Sequence, residues 1–334
     1  MIDIKLLEQL CLCNGISGDE GNVRNLIINE IKDCADDIKT DNLGNLIVFK
    51  KGKKSAKSKL MVSAHMDEVG LMVTDITSDG YLKFDEVGGI DRRVLPGKRV
   101  CVGRNGLNGV IGVKPIHLTN GDEKTAVPKM NDMYIDIGAE SREDALKYVN
   151  YGDGINFEGD FKINGKTVVT KALDDRFGCY VLINLIKSEP EYDMYFTFVV
   201  QEEVGLRGAR SAAFTVNPDF ALVIESTTAA DVAEVDVSHQ VCNLSKGATV
   251  TVMDRATVYD KEMISAAFEL AEKNNIAVQY KRAVAGGNDS GAIHQSRGGV
   301  RTLAVSLPSR YIHAPSTAAN LDDCESILKL AKVL

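Results

Sequence analysis

Histidine and acidic residues recur at the ends of apolar segments in this chain. His65 and Asp67 follow an apolar segment at 60–64, and Glu225 ends another at 220–224. Further residues of these types follow apolar segments or open a helical one, namely Asp174, Asp175, Glu202, Glu203 and His313. Imidazole nitrogens and carboxylate oxygens are ligands that suit zinc, cobalt and manganese. The set therefore predicts a hydrolytic site with two divalent metal ions, bridged by a short carboxylate.

Each of these residues also has an ordinary structural explanation. His65 alone can be a hydrogen-bonded core histidine. Asp174 and Asp175 can cap a helix, where aspartate is favoured. Glu202 and Glu203 can form an exposed pair at the end of a strand. The combination at one sheet edge favours metal binding, because buried like charges cost desolvation and repulsion that cations remove.

The segments that must position these residues have two alternating patterns. Strand-like segments rich in apolar and β-branched residues occupy 60–64, 195–200, 220–224 and 300–307. Helical spacing of apolar residues is found at 175–188 and 259–274. Strands that alternate with helices indicate a largely parallel α/β sheet, whose ligands bind outside the carboxyl ends of its strands. We therefore expect the candidate residues to meet at that edge of the sheet.

The stretch between about residues 71 and 166 has a different pattern. Glycines are frequent, short strand-like pieces such as RVCVG and GVIGV recur between turns, and one helical segment lies near 141–150. This pattern is typical of a small β-barrel or sandwich. We predict an α/β domain built from residues 1–69 and 165–334, interrupted by an inserted β domain at 70–164.

Composition argues against several classes of protein. The 334 residues have a net charge of −8, and an acidic surface repels phosphate, so we expect no nucleic-acid partner. No apolar run approaches the roughly 18 to 20 residues that span a bilayer, so we expect no membrane partner. The N-terminal sequence is typical of a short amphipathic helix and not of a leader peptide. The basic run at 51–59 is typical of a solvated loop. The seven scattered cysteines favour reduced thiols and a cytoplasmic location.

Five sequence motifs indicate a family resemblance. They occur in the order SAHMDEVGLMV, KALDDRFGCY, VVQEEVGLRGA, GGNDSGAIHQSRGG and SRYIHAPS. Together they resemble the cytosolic metallo-aminopeptidases of family 42, which include glutamyl and deblocking aminopeptidases and the tetrahedral TET peptidases. Some members were once labelled endoglucanases. The likeness covers essentially the whole chain, and EEVGLRGA combined with HMDEVG is its most specific part.

The resemblance implies a role for each candidate residue around a first metal ion. His65 corresponds to a ligand of this ion, and Asp67 to the orienting partner of that histidine. Asp174 corresponds to the carboxylate that bridges the two ions, and Asp175 shapes the turn after it. Glu225 stands where many relatives have an aspartate that binds the first metal ion.

The second metal ion and the catalytic base are implied in the same way. Glu203 and His313 match the ligands of the second ion. Glu202 resembles the general base that takes a proton from the metal-bridging water. The ions expected are zinc or cobalt, with manganese as a further option. The resemblance thus implies an aminopeptidase that removes N-terminal residues from peptides.

The family also implies a fold and an assembly. The fold is a phosphorylase/hydrolase-like three-layer α/β catalytic domain with an inserted small β-barrel domain. The assembly is a hollow tetrahedral homododecamer built from dimers, in which the β domain takes part in dimerisation.

Two other functions compete with this interpretation. Glu202 and Glu203 can be the acid and nucleophile of a glycosidase, but such carboxylates face each other across a substrate, about 5 to 10 Å apart. Neighbours in sequence are poorly placed for this, and a glycosidase requires neither His65 nor His313. A non-catalytic scaffold with the same fold is the other alternative, although every inferred ligand is present.

The identity of the residue removed stays open between acidic, basic and apolar side chains. Arg207, Arg310 and the glycine-rich turn at 286–290 are candidates for the wall of the substrate pocket. This turn would also bring Asp289 and His294 to the wall. Its sequence, GGNDSGAIH, differs from the commoner GTDAGAIH of the family.

Overall fold

The computed structural model describes residues 2–122 and 124–334. Its helices are α1 (Ile4–Leu12), α2 (Gly21–Ile31), α3 (Arg142–Ala145), α4 (Leu173–Ile186), α5 (Arg207–Val216), α6 (Lys261–Lys273), α7 (Ser290–Ile293) and α8 (Leu321–Val333). The predicted N-terminal helix is α1, and Asp3 caps it by accepting a hydrogen bond from the Leu6 amide at 3.1 Å. In the two described ranges, every helix is too short or too polar to cross a bilayer.

The strands fall into three consecutive groups along the chain. The first group is β1 (Asp37–Thr40), β2 (Leu46–Lys50) and β3 (Leu60–His65). The second group is β4 (Gly70–Ile76), β5 (Leu82–Val87), β6 (Arg99–Val102), β7 (Leu107–Val113), β8 (Met133–Asp136) and β9 (Gly154–Phe157). The third group is β10 (Lys162–Asn164), β11 (Thr167–Thr170), β12 (Met194–Val199), β13 (Phe220–Thr228), β14 (Ala248–Val250), β15 (Val278–Tyr280), β16 (Arg301–Arg310) and β17 (Thr317–Asn320).

The large sheet is mixed, and four parallel strands form its centre in the order β12-β3-β13-β16. These strands correspond to the four apolar segments of the sequence, and most of their residues are buried, as expected for parallel strands covered by helices. Helix α4 packs on β3 and β13, α5 on β12, and α8 on β16. The two helices predicted from apolar spacing correspond to α4 and α6. The α/β fold is therefore confirmed.

Strands β4 to β9 form a closed barrel in the order β4-β5-β8-β7-β6-β9. Its interior is a separate hydrophobic cluster that includes Leu71, Val100, Ile111 and Ile135. Of the two β architectures predicted, the barrel is therefore the correct one. Strand β10 lies within the predicted insertion at 70–164, but it pairs with β11 in the large sheet. We therefore propose that the barrel is a separate domain that ends after β9.

Candidate metal centre

The register of the parallel strands brings the predicted site residues to one edge of the sheet. His65 is the last residue of β3, and its partner in β12 is Val199, which is followed closely by Glu202. Glu225 lies in the neighbouring strand β13, which pairs with β16. His313 lies on the loop that follows β16. The carboxyl ends of four parallel strands thus supply side chains to one region, as expected for an open α/β sheet.

The side chains form two groups that share one carboxylate. His65 Nε2 lies 3.4 Å from Asp174 Oδ1 and 3.7 Å from Glu225 Oε2. His313 Nε2 lies 3.2 Å from Asp174 Oδ2 and 3.3 Å from Glu203 Oε2. The two oxygens of Asp174 therefore face different histidines, which is the geometry of a bridging ligand.

The start of α4 fixes Asp174 in this position. Asp174 and Asp175 depart from helical dihedral angles, and the peptide bond between them is cis. The Asp175 carboxylate accepts hydrogen bonds from the Gly178 amide at 2.9 Å and from the His65 amide at 3.3 Å. A Cβ atom at position 178 would collide with this carboxylate, so glycine is required there. Asp175 thus ties the turn that contains Asp174 to the end of β3.

Asp67 is the predicted orienting partner of His65, and it also contacts residues other than this histidine. His65 Nδ1 lies 3.0 Å from the Asp67 carbonyl oxygen and 3.5 Å from Oδ1, so the main-chain oxygen is the nearer partner. The carboxylate accepts hydrogen bonds from the amides of Glu202 at 3.0 Å and Glu203 at 3.1 Å. The Ser17 hydroxyl donates to it at 2.6 Å. Asp67 therefore links the imidazole of His65 to the turn after β12 that contains Glu202 and Glu203.

Burial changes the protonation of the acidic residues. Burial and, to a smaller extent, the adjacent Asp174 together raise the pKa of Glu203 to about 8. Burial also raises the pKa of Glu202 and of Glu225 well above the ordinary glutamate value, and nearby carboxylates add to this effect. Burial acts in the same direction on Asp174, but the two adjacent histidine rings hold its pKa below the usual aspartate range. The charged forms of the three glutamates are therefore unfavourable, because the cluster has too little positive charge to offset their burial.

The two histidines experience the opposite influence. Burial acts to lower the pKa of each imidazole, but the surrounding carboxylates outweigh it. Asp174 and Glu203 raise the pKa of His313 to about 9. Glu225 and Asp174 raise the pKa of His65 well above its ordinary value. A site that favours positive charge so strongly also favours a divalent cation, which competes with protons for the same donors.

The donor set fits divalent metal ions. Asp174 Oδ1 and Glu225 Oε1 are buried and have no hydrogen-bond partner among the described residues. A buried carboxylate oxygen without a partner is costly, and a bound cation would remove that cost. The donor atoms that lie within 4.8 Å of one another form three groups: His65, Asp174 and Glu225; Asp174, Glu203 and His313; and His65, Glu202 and Glu203.

A cleft of about 160 Å³ opens beside these groups. Its walls include the acidic residues and His313 described above, and also Lys281 and the glycine-rich loop at 285–288. The candidate ligands can therefore be reached by a substrate that enters this cleft.

The chain is similar to known proteins over nearly its whole length. A family model described as M42 glutamyl aminopeptidase matches residues 44–330. The chain belongs to the M42 family. The lysyl aminopeptidase of Pyrococcus furiosus is 34% identical over 346 residues, which cover 100% of this chain and 97% of that protein. The glutamyl aminopeptidase of Lactococcus lactis subsp. cremoris is 32% identical over 318 residues, which cover 92% of this chain and 88% of that protein.

The M42 fold is also found among solved structures. The TET1 peptidase of Pyrococcus horikoshii, which can assemble into a tetrahedron or a large octahedral shell, has a TM-score of 0.88 to this chain. The two are 39% identical, and the match covers 99% of this chain and 98% of that one. Membership of this family confirms the resemblance and makes the chain a peptide hydrolase. It thereby favours peptide cleavage over the glycosidase and the non-catalytic scaffold.

The two arginines predicted for the pocket of this M42 chain have partners elsewhere. Arg207 is exposed, and its Nη1 donates a hydrogen bond to the Gln201 side chain at 3.3 Å. Arg310 forms an ion pair with Asp231 at 2.7 Å. Neither arginine is among the described residues that line the cleft. Their contribution to the substrate pocket stays a prediction.

The two residues that the glycine-rich turn was predicted to bring to the pocket wall, His294 and Asp289, have different surroundings. His294 Nδ1 lies 2.8 Å from the Ser290 carbonyl oxygen. Asp289 is fully buried, and within the described chain both of its carboxylate oxygens lack a hydrogen-bond partner. Burial raises the pKa of Asp289 to about 7. The cleft walls described above include Asn288 of this turn but neither candidate, so their pocket role also stays a prediction.

Three residues near the candidate metal centre were not predicted from the sequence. Ser17 and Glu20 belong to the loop between α1 and α2, and they contact residues 50 and 181 positions away in the chain. Lys281 follows the short strand β15 and lines the cleft. Glu20 directly precedes a helix, so its position in the sequence indicates only an N-cap. No spacing pattern connects positions this far apart.

Proposed function

We propose that this chain is a dinuclear metal-dependent aminopeptidase that hydrolyses the N-terminal peptide bond of peptides. The observation that supports this most strongly is the position of Asp174. Its two oxygens lie 3.4 Å from His65 Nε2 and 3.2 Å from His313 Nε2. A carboxylate between two histidine-containing groups is suited to bridge two cations.

The proposed ligands divide between the two ions. The first ion would be held by His65, Asp174 and Glu225, and the second by Asp174, Glu203 and His313. Zinc and cobalt suit these donors, and manganese is a further option. When bound, the ions would polarise the scissile carbonyl and make hydroxide available near neutral pH. Glu225 has a longer side chain than the aspartate of many relatives, but its Oε2 still lies 3.7 Å from His65 Nε2.

Glu202 is the proposed general base. It belongs to neither group that contains Asp174, but one of its oxygens lies within 4.8 Å of donor atoms of His65 and Glu203. Burial raises its pKa well above the ordinary glutamate value, which suits a carboxylate that must accept and return a proton. In this role Glu202 takes a proton from the attacking water and passes it to the leaving amine.

A panel of aminoacyl-chromogenic substrates tests the proposed function. The purified chain is assayed before and after treatment with a chelator, and again after zinc, cobalt or manganese is restored. We expect cleavage that disappears with the chelator and returns with metal. Activity that survives removal of all bound metal, or cleavage of cellulose in the chelator, would contradict the proposal.

We further propose that the preferred N-terminal residue is acidic. The named relatives differ on this point, because one is a lysyl and another a glutamyl aminopeptidase. In this chain, Lys281 lines the cleft and donates a hydrogen bond from Nζ to the Ala285 carbonyl at 2.7 Å. Among the described residues, no carboxylate oxygen lies within 4.0 Å of its ammonium group. Burial lowers its pKa, as expected for a cation without a close counter-ion.

The other charges of the cleft already have proposed roles. Its acidic residues are assigned to the two metal ions or to proton transfer, so Lys281 is the charge that remains for the side chain of the substrate. A glutamate or aspartate side chain would pair with this ammonium group in a charge-assisted hydrogen bond. A lysine side chain would be repelled by it.

Lys281→Met tests the acidic preference, with Arg282→Met as the matched control. Arg282 is the adjacent cation, but it is exposed and donates to Asn243 at 2.6 Å. We expect Lys281→Met to lower kcat/KM for a glutamyl substrate by about 10- to 100-fold and to leave that for a leucyl substrate nearly unchanged. The control should change neither value. Equal losses on both substrates, or a preference of the unmodified chain for lysyl substrates, would refute the assignment.

We also propose that the chain self-assembles into a tetrahedral homododecamer of dimers. The TET1 peptidase of P. horikoshii, which can form a tetrahedron, supports this. In addition, several large apolar side chains are exposed between residues 110 and 127, and exposed apolar surface is used for protein contacts where it is contiguous. They include Val110, Ile116, Leu118 and Val127. Native mass spectrometry should give twelve times the chain mass of 36.3 kDa, and a monomer would contradict the proposal.

We propose a cytoplasmic location. The seven cysteines, all within the described chain, are free thiols, and several of them are buried. Free thiols in this number persist most readily in a reducing compartment. Fractionation of cells that express the chain, followed by detection with an antibody, tests this location.

A further inference from the structure

Three consecutive backbone amides after β12 donate to carboxylates from elsewhere in the chain. The Gln201 amide donates to Glu20 Oε1 at 3.1 Å. The Glu202 amide donates to Asp67 Oδ1 at 3.0 Å, and the Glu203 amide donates to Asp67 Oδ2 at 3.1 Å. We call residues 201–203 the acidic turn. Every amide of the acidic turn therefore has its own carboxylate oxygen as acceptor, and the three oxygens belong to two carboxylates.

The acidic turn needs such contacts because its backbone is unusual. Gln201 has a φ of +56°, in the left-handed region that side chains other than glycine rarely adopt. A residue in this region persists where surrounding interactions fix it. Two neighbouring side chains with different proposed roles, a base and a ligand, extend from the same turn. A small rotation of the turn would displace both.

The loop between α1 and α2 supplies part of this support. Ser17 donates from its hydroxyl to Asp67 Oδ2 at 2.6 Å, and the Gly18 amide donates to Glu20 Oε1 at 2.7 Å. Both Ser17 and Glu20 are 4% exposed. Glu20 directly precedes α2, but its side chain makes no capping hydrogen bond to that helix. Its carboxylate instead faces the acidic turn.

We propose that Ser17 and Glu20 are positioning residues for the general base. Glu20 would hold the Gln201 amide directly, and Ser17 would hold the Asp67 carboxylate that accepts from the next two amides. This inference rests on the proposed role of Glu202. Both residues lie outside the part of the chain that the M42 family model matches, which begins at residue 44.

The test compares Glu20→Ala, Glu20→Gln and Ser17→Ala in the full-length chain. Glu8→Ala is the matched control, because Glu8 is an exposed glutamate of the same N-terminal region. Glutamine keeps an oxygen that can accept the Gln201 amide, whereas alanine removes the acceptor. Each variant is measured for kcat, KM, bound metal and melting temperature. Hydrogen exchange of the metal-free protein reports separately on the amides of the acidic turn.

Loss of the Glu20 acceptor should affect turnover more than binding. We expect Glu20→Ala to lower kcat by about 10- to 100-fold, with KM and bound metal little changed, as found for groups that orient a site. Amide exchange in the acidic turn should become faster in the same variant. Glu20→Gln should recover most of both properties. Ser17→Ala, which removes a single oxygen atom, should lower kcat by about tenfold.

Several outcomes would overturn the inference. Unchanged kcat and exchange in both alanine variants would show that neither residue positions the turn. An equal loss in Glu20→Gln and Glu20→Ala would exclude the acceptor role. Ser17→Ala remains decisive if Glu20→Ala does not fold. Absence of metal-dependent peptidase activity in the unmodified chain would refute the proposed function, whereas normal activity with unaffected variants would refute only the positioning role.

Discussion

The two ends of the four central parallel strands differ completely in chemistry. At the carboxyl ends, His65, Glu225 and the acidic turn are buried or half-buried beside a polar cleft. At the amino ends, a cavity of about 300 Å³ is lined by apolar side chains, including Leu60 and Leu303. The same four hydrogen-bonded strands therefore carry a polar cleft at one end and an apolar cavity at the other. The candidate metal-binding and catalytic side chains lie at the end of the sheet where loops supply further polar groups.

The two ends also differ in how burial of side chains affects the stability of the folded state. At the amino ends, burial of apolar side chains contributes directly to stability. At the carboxyl ends, burial raises the pKa of Glu202, Glu203 and Glu225, so their charged forms are unfavourable without compensating cations. We expect substitutions at the amino ends to change stability and substitutions at the carboxyl ends to change activity. Four predictions test this difference, beginning with the largest effect.

Asp174→Ala should have the largest effect, because it removes the carboxylate that both histidine-containing groups share. We expect bound metal and activity to fall together to the limit of detection. Elemental analysis of the purified variant, combined with circular dichroism to verify folding, measures this. Retention of two metal ions per chain would exclude Asp174 as the bridge.

Glu202→Gln should separate activity from both metal binding and stability. Turnover should fall by about 10²- to 10⁴-fold, the range typical of a general base, while bound metal is retained. The free energy of unfolding of the metal-free protein should stay the same or rise near neutral pH. The reason is that the variant replaces a buried carboxylate of raised pKa with a neutral amide. Normal turnover in this variant would refute the assignment of the base.

Leu303→Ala should have the opposite effect at the amino ends. Leu303 is 1% exposed, and truncation of such a side chain costs about 2 to 5 kcal/mol of unfolding free energy. Urea denaturation measures this loss, and kcat per folded molecule should stay unchanged. A large drop in kcat for the folded variant would show that the two ends of the sheet are coupled.

Asp260→Asn should have the smallest effect and a defined pH dependence. Asp260 lies 2.7 Å from Arg301 at the start of β16, and this partner lowers the pKa of Asp260 to about 2. Since an unfolded aspartate has a pKa of about 3.9, the pair stabilises the fold above that pH and loses its effect as pH falls through about 2.

At neutral pH, we expect the Asp260→Asn variant to be less stable by under about 1 kcal/mol, because both side chains of the pair are partly exposed to solvent. Asparagine keeps an oxygen that can accept the capping hydrogen bonds from the amides of Glu262 and Met263. Thermal melts of both proteins between pH 7 and pH 3 should therefore converge as pH decreases. A difference that grows towards acid pH would contradict this account.

Local pattern was sufficient to predict much of the large sheet. The segments that form β3 and β13 are continuous apolar runs, which are typical of parallel strands that are buried on both faces. The barrel was less predictable, because short strands of four to seven residues joined by glycine-containing turns are compatible with a sandwich as well. Closure depends on the pairing of β4 with β9, which no local pattern indicates.

The sequence by itself determined which residues are available for chemistry and the sheet edge at which they meet. His65 ends β3 and Glu225 lies within β13, so the parallel topology brings them together. The family resemblance implied a bridging role for Asp174, but only the tertiary structure decided that its two oxygens face different histidines. Only the tertiary structure likewise decided that Lys281 lines the cleft and that Glu20 accepts a hydrogen bond from the Gln201 amide. These contacts join residues far apart in the chain, and their geometry depends on how whole elements pack. Periodicity and motif spacing report local structure alone, so they contain no signal for such contacts.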